Sequence, residues 1–250
     1  MPTQARYAQW PAQLSPRAAV ACLWAHQPAD SAPGRVLPDA CIDIIWDGAS
    51  LFVAGPDTGP VPIEPRPGVA YAGLRFRPGR APGFLGTPAF ALLDSRVELA
   101  QLWGQACADR IAARLSLART AKAAAELLDT VVAERADAAV APDPMIDGLV
   151  AFLQSAAQAN GTVRAASQAL GVLERRLYQH CTATVGYGPK TLERVVRFQR
   201  AMRLARRADS LADLAAWSGY ADQAHLSREC RRLAGTTPSD LFKTASLAAS

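Results

Sequence analysis

The C-terminal part of the chain repeats itself once, and this repeat restricts the folds open to it. Six landmark residues recur with an offset of 48 positions at the first glycine and 49 at the other five. The landmarks are Gly171, Leu177, Cys181, Gly186, Pro189 and Leu192 in the first copy and Gly219, Leu226, Cys230, Gly235, Pro238 and Leu241 in the second. Two copies of one pattern indicate two copies of one supersecondary unit.

Each copy is typical of a helix, a glycine turn and a second helix. We expect helices over 163–170 and 174–182 in the first copy, and over 212–218 and 223–234 in the second. A Gly-x-x-Pro sequence follows each second helix and predicts a helix end and a restart with proline in the first turn. Residues 189–207 carry apolar side chains at helical spacing and predict a long joining helix. These patterns favour two helix-turn-helix units, with a plain helical bundle as the alternative.

The positive charge of the chain lies in this region. Residues 1–145 contain 13 Lys and Arg against 14 Asp and Glu, a net charge of −1, whereas residues 146–250 contain 14 against 8, a net charge of +6. A basic region beside a nearly neutral one favours an anionic partner for the basic region.

The helix predicted over 223–234 has two different faces. Leu226 and Cys230 share an apolar side, while Gln223, Ser227 and Arg228 lie on the other. A short helix with an apolar back and amide, hydroxyl and guanidinium groups in front suits the DNA major groove.

Residues 218–230 read SGYADQAHLSREC and are followed by Gly235-Thr236-Thr237-Pro238. This sequence resembles the DNA-binding domain of AraC/XylS-type transcriptional regulators. Cys230 and Cys181 stand where that family usually has phenylalanine, so we expect them in the core. The resemblance covers about residues 146–244 and implies sequence-specific binding to promoter or operator DNA, with activation and repression both open.

The resemblance also implies which side chains read bases. By position these are Arg175, Tyr178 and Gln179 in the first unit and Gln223, Ala224, Ser227 and Arg228 in the second. The first unit departs from the family pattern, because Leu173-Glu174 replaces the usual small polar cap.

Residues 1–105 predict mainly β structure, as a small barrel or sandwich. Apolar runs over 41–46 and 51–54 flank Asp47-Gly48, a hairpin signal, and 71–76 predicts another strand. Helical pattern begins near 97–103. It continues over 106–135 with a break near 116–120, and residues 136–144 contain two prolines and predict a linker.

The predicted fold class is therefore α+β with two domains. The division is a mainly β domain over 1–105, a helical connector over 106–135, a linker over 136–145 and an all-α domain over 146–244. The connector either packs on the β domain or forms a dimer interface.

Three segments of the β domain are similar to the ligand-sensing N-terminal domains of some regulators of this family. They are residues 37–43 (LPDACID), 53–58 (VAGPDT) and 73–79 (GLRFRPG). The resemblance implies an effector but does not identify one. Five aromatic residues predict either the lining of a small-molecule pocket or core: Trp24, Trp46, Phe52, Tyr71 and Phe76.

Other chemistry is weakly indicated. Cys41 beside Asp39 and Asp43 suggests either a reactive or metal-sensing thiol or an ordinary strand residue. The cysteines and histidines are scattered, so we expect no metal site and no cofactor. The sequence shows no nucleophile paired with a base, so we do not expect an enzyme. The alternatives are a DNA-binding module fused to a domain that only dimerises, and a DNA-repair or reactive-cysteine sensor protein.

Double-stranded DNA is the expected partner, and a small-molecule effector, RNA polymerase and a second copy of the chain stay open. The sequence starts without a secretory signal pattern, and no window approaches the ~20 apolar residues of a membrane span. We therefore expect a cytoplasmic protein without a membrane partner.

Overall fold

The computed structural model describes residues 6–28, 34–64, 66–155 and 162–247. The strands come first along the chain and the helices dominate its second half, so the fold is α+β as predicted. The strands are β1 Arg6–Trp10, β2 Val20–Gln27, β3 Gly34–Val36, β4 Ile42–Trp46, β5 Leu51–Ala54, β6 Val61–Ile63, β7 Tyr71–Phe76 and β8 Arg96–Glu98.

Six of these strands form one antiparallel sheet in the order β1-β2-β7-β4-β5-β8, and β3 pairs with β6 in a separate two-stranded sheet. The predicted hairpin joins β4 to β5: the Asp47 carboxylate accepts the backbone N–H of Ser50 at 2.7 Å, and Gly48 has φ +89°. Aspartate closes the turn with its side chain, and glycine adopts the left-handed conformation that other residues avoid.

The two faces of the large sheet differ because side chains alternate along a strand. Leu23, Ile44 and Leu74 are fully buried on one face and belong to one apolar cluster with the first helices of the chain. Burying an aliphatic side chain stabilises the fold by about 1.5–3 kcal/mol, so this face holds the N-terminal region together. The opposite face bears polar and aromatic side chains.

Four helices accompany the sheet: α1 Ala81–Leu85, α2 Leu99–Trp103, α3 Gln105–Ser116 and α4 Ala121–Ala133. Short 3-10 turns cover Ala89–Leu92 and Ala136–Ala138. The predicted break falls between α3 and α4, where the Thr120 hydroxyl caps α4 by accepting the N–H of Ala123 at 3.1 Å. The helical prediction near 97–103 was partly wrong, because residues 96–98 instead form β8 and pair with β5.

Helix α4 packs across β2 and β7 within the same chain. Ala125, Leu128 and Val132 are almost completely buried there. The apolar stripe that suggested a dimer interface is therefore already covered by the sheet.

The C-terminal region consists of α5 Pro144–Ser155, α6 Val163–Leu170, α7 Glu174–Val185, α8 Pro189–Leu204, α9 Leu211–Ser218, α10 Gln223–Ala234 and α11 Pro238–Leu247. Three boundaries differ from the sequence prediction. Helix α7 runs three residues beyond 182, α8 ends at Leu204 with a 3-10 turn over Ala205–Arg207, and α9 begins one residue early, at Leu211.

The four repeated glycines all have left-handed backbone: φ is 64° at Gly171, 102° at Gly186, 82° at Gly219 and 67° at Gly235. Each one ends a helix. Glycine adopts this conformation without the steric penalty of a Cβ atom, which explains its recurrence in both copies.

The two regions are not separate bodies. Ala40 from the loop before β4 is buried within the apolar cluster of the C-terminal helices, and Leu37 packs against it. None of the helices within the described ranges is long and apolar enough to cross a membrane.

Candidate functional site

The second helix-turn-helix unit is held in shape at both ends of its turn. The Ser210 hydroxyl caps α9 by accepting the N–H of Asp213, and the Asp222 carboxylate caps α10 by accepting the N–H of His225 at 2.6 Å. Tyr220 between the helices is buried, and its ring packs edge-on against His225 with centroids 5.2 Å apart. The angle between α9 and α10 is therefore fixed by capping and packing together.

Helix α10 presents the two faces expected of it. Leu226 and Cys230 are fully buried. Gln223, Ala224 and Arg228 are exposed, and Ser227 is half-buried beside them. The four side chains implied by the sequence thus lie together on the accessible side of α10.

The first unit has the same construction with one weaker end. The Ser167 hydroxyl donates to the carbonyl of Val172 across the turn, and Leu177 anchors α7 in the core. Leu173 precedes α7 without a side-chain cap and is 78% exposed. Because Leu173 stands where the family usually has a small polar residue, no side chain caps the start of α7.

Arg175, Tyr178 and Gln179 are all exposed on α7. The Tyr178 ring lies close over Gly188, where a Cβ atom would stand 2.6 Å from the ring. A side chain at position 188 would therefore require the exposed Tyr178 ring to move from this position.

Two neighbouring residues of α8, which sequence reasoning missed, fasten the units to the joining helix. Glu193 is buried and accepts the N–H of Val163 at 3.1 Å and the guanidinium of Arg197 at 2.6 Å. Arg194 makes two hydrogen bonds with Glu229 of α10, at 2.9 and 3.1 Å. A bidentate arginine–carboxylate pair fixes orientation as well as distance, so α6 and α10 are both oriented relative to α8.

The arginines of the joining helix are partly used inside the protein. Arg197 pairs with Glu193 and lies 5.6 Å from the Tyr220 ring centroid, and Arg200 donates to the carbonyl of Gln154 at 2.7 Å. Both arginines therefore stabilise the packing of the joining helix against its neighbours.

Comparison with known families was consistent with this geometry. Residues 166–244 match a family model described as "Helix-turn-helix domain". The C-terminal region is an AraC-type helix-turn-helix domain. Residues 11–98 match a second model, described as "Domain of unknown function (DUF6597)". A domain of the AraC type belongs to DNA-binding transcription regulators.

Among curated proteins, a sequence search found no match. Among solved structures, the chain is similar to ToxT from Vibrio cholerae O395, with 11% identity, a TM-score of 0.45, and 86% of this chain and 90% of that chain covered. A 1.65 Å structure of ToxT from Vibrio cholerae gives 10% identity, a TM-score of 0.47 and coverage of 88% and 96%.

A cavity of about 480 Å³ lies on the polar face of the large sheet, with residues of β3 and β6 in its opposite wall. Of the five aromatic residues predicted as pocket lining or core, Trp24, Phe52 and Tyr71 line this cavity. Trp46 and Phe76 do not, because they occupy the other face of their strands and are buried in the apolar core.

Tyr7 and His26 complete the aromatic wall of the cavity, and sequence reasoning missed both. The Tyr7 ring stacks on Trp24 with centroids 6.3 Å apart, and the His26 ring lies 6.4 Å from that of Tyr71. The signal that could have found His26 is its position two residues after Trp24, which places both on one strand face.

Charged pairs form part of the remaining lining. Arg75 donates to Asp43 and contacts Asp39 at 3.1 Å, and Trp24 Nε1 donates to Asp43 at 2.9 Å. Arg96 binds Asp57 through two hydrogen bonds of 3.1 and 3.0 Å. Burial raises the pKa of Asp39 despite the nearby Arg75.

Cys41, Cys181 and Cys230 are poorly suited to redox or metal chemistry. Burial raises the pKa of Cys41 well above its ordinary value, and it raises the pKa of Cys181 and of Cys230 to about 12. A protonated thiol is a weak nucleophile and ligand, so a reactive Cys41 is disfavoured. Within the described ranges, no group of three or more His, Cys, Asp and Glu side chains could hold a metal ion.

Proposed function

We propose that the chain is a sequence-specific regulator of transcription whose N-terminal region binds a small-molecule effector. The observation that carries the DNA-binding part is the accessible face of α10. Gln223, Ala224, Ser227 and Arg228 stand together over a fully buried back. Arginine can grip guanine O6 and N7, and glutamine can grip adenine N6 and N7, each contributing about 1–3 kcal/mol of discrimination.

The second half of the recognition site is assigned to Arg175, Tyr178 and Gln179 on α7. The two units are joined by one continuous helix and fastened to it by Glu193 and Arg194. Such a pair can enter successive major grooves on one side of DNA if the helices stand about 34 Å apart. A single chain would then read two half-sites.

The effector part of the proposal rests on the cavity. Its volume of about 480 Å³ falls within the range of roughly 300–1,000 Å³ that is usual for small-molecule sites. Aromatic rings beside buried ion pairs are a lining suited to a compact ligand with an aromatic or apolar body and a polar group.

A second copy of the chain stays a candidate partner, as does RNA polymerase, and no residue is assigned to either contact. Sensing is favoured over a purely dimerising N-terminal region because the apolar face of α4 is covered within one chain. The proposal keeps the division into a β domain over 1–105, a connector over 106–135, a linker over 136–145 and a helical domain over 146–244. It also keeps a cytoplasmic location.

The test is selection from a random-sequence DNA library with the full chain. We expect enrichment of a motif with two elements about 10–11 base pairs apart. Failure to enrich any sequence over input would contradict sequence-specific binding. Enrichment of a single element would contradict reading by α7.

A further inference from the structure

The C-terminal ends of both recognition helices rest on the N-terminal region. At the end of α7, a Cβ atom on Gly186 would lie 2.6 Å from Cγ of Pro56 and 3.1 Å from the carbonyl oxygen of Ala89. At the end of α10, a Cβ atom on Gly235 would lie 3.3 Å from Cγ of Pro60. One short loop, residues 56–60, therefore approaches both helices.

Arg35 of β3 adds a directed contact at the second of these points. Its Nη1 donates to the carbonyl oxygen of Ala234, the last residue of α10, at 2.8 Å. A cation at this end of a helix satisfies a carbonyl that has no partner within the helix, and it interacts favourably with the helix dipole. We refer to residues 56–60 together with Arg35 as the bracket.

The loop of the bracket is firmly held from behind. Asp57 is buried and paired with Arg96, and Thr58 donates its N–H and its hydroxyl to Asp94 at 2.6 and 2.8 Å. The N–H of Asp94 in turn donates to the carbonyl of Pro56 at 3.1 Å. A loop with this many bonds to a neighbouring segment transmits displacement instead of absorbing it.

The same residues border the cavity. Asp57, Arg96 and Arg35 all line it, as does Gly55 just before the loop. A molecule in the cavity that competes for the Asp57–Arg96 pair would disturb the support of the bracket directly.

We propose that the bracket sets the separation of the two recognition helices and that the Asp57–Arg96 pair holds the bracket in place. The inference rests on the proposed function in that it assigns what spaces the two halves of the same DNA-reading surface. Recognition helices insert their N-terminal ends into the groove, and the bracket contacts only their C-terminal ends. It can thus act while DNA is bound.

The first experiment measures the separation without DNA. Spin labels are attached through a keto amino acid at Gln179 and Arg231, which are exposed on α7 and α10, and the label distance is measured in the full chain by pulsed dipolar spectroscopy. Arg35→Ala and Arg96→Ala should each broaden or shift the distance distribution. Arg66→Ala, which removes an exposed ion pair with Asp47, is the matched control and should leave it unchanged.

A wild-type distribution in a folded Arg35→Ala protein would overturn the proposal, with folding checked by thermal denaturation. Arg35→Ala serves as the decisive variant because Arg35 is exposed, whereas loss of Arg96 leaves Asp57 buried without its partner. The result does not depend on whether the protein binds DNA, so failure here is distinguishable from failure of the proposed function.

The second experiment uses DNA selected by the wild-type protein from the random library. Insertion of two base pairs between the two elements should weaken wild-type binding more than binding by Arg35→Ala. We define the spacing ratio as the affinity for the selected DNA divided by the affinity for the DNA with two inserted base pairs. This ratio should be about 5-fold smaller for Arg35→Ala than for the wild type, as expected for loss of one hydrogen bond that holds the separation. Equal sensitivity to spacing, or tighter binding of every spacing by the variant, would show that the bracket does not set the separation.

Discussion

Arg228→Ala is expected to weaken binding to the selected DNA while barely affecting the fold. Arg228 is exposed on α10, and its side chain forms no hydrogen bond or ion pair with another described residue. Its removal should therefore change the free energy of unfolding by less than about 0.5 kcal/mol. Loss of a bidentate contact to guanine costs about 1–3 kcal/mol, a decrease in affinity of about 5- to 150-fold.

The matched control is Arg232→Ala. Arg232 lies one turn farther along α10, is also exposed, and stands at the end away from the expected groove contact. A phosphate contact there would weaken selected and random DNA alike and lower the salt dependence of binding by about one unit of log–log slope.

The assay is fluorescence anisotropy with the selected duplex and a scrambled duplex at several salt concentrations. Arg228→Ala should reduce the ratio of the two affinities, and Arg232→Ala should leave that ratio unchanged. Equal losses on both duplexes for Arg228→Ala would refute base reading by this residue.

Three further predictions concern pH, capping and the cavity. Burial alone would raise the pKa of Asp129, but hydrogen bonds from residues 13–15 outweigh it and lower this pKa below its ordinary 3.8. The stability that this adds is present above pH 3.8 and is lost as the pH falls through the lowered pKa. Asp129→Asn should therefore make the acid unfolding curve, followed by circular dichroism, less steep. Asp222→Ala removes the cap that accepts the N–H of His225 and should lower the free energy of unfolding, measured by urea titration, by about 0.5–2 kcal/mol. An unchanged free energy of unfolding would show that this cap does not stabilise the fold. In thermal-shift screening, any small molecule that stabilises the wild type should fail to stabilise Phe52→Ala, with exposed Phe90→Ala as control; stabilisation of both variants would place the ligand elsewhere.

The sequence predicted the helical half of the fold closely, for an identifiable reason. Its landmarks are local: Gly171 and Gly219 require left-handed backbone, and Asp222 caps the helix that follows it within three residues. Such signals depend on the neighbouring backbone alone and do not require knowledge of the tertiary fold.

Strand geometry could have refined the prediction of the cavity. Tyr71 and Phe76 are five positions apart on one strand, so their side chains point to opposite faces of the sheet. Only one of the two can therefore line the cavity. Deciding which face is open required the packing of α4, which no pattern in the strands reports. The position of Trp46 in the core follows from the same packing.

The contacts between regions were beyond the reach of sequence reasoning. Arg35 and Ala234 are separated by 199 positions, and Glu193 serves as an acceptor for a backbone N–H thirty positions away. Neither Arg35 nor Glu193 belongs to a periodic pattern or a motif. Their roles depend on the docking of whole elements, which is set by surface shape and by buried polar groups that need partners.

The burial of Ala40 among the C-terminal helices has a consequence for recombination between regulators. Ala40 is 2% exposed and has left-handed backbone with φ 66°, a conformation that costs a non-glycine residue about 1–2 kcal/mol. A chimera joined in the linker before α5 would separate this residue from the surface that it fills. Exchange of N-terminal halves between such proteins would therefore succeed only when the loop over 37–41 meets a matching surface on the C-terminal helices, so the two halves are expected to be inherited as a unit.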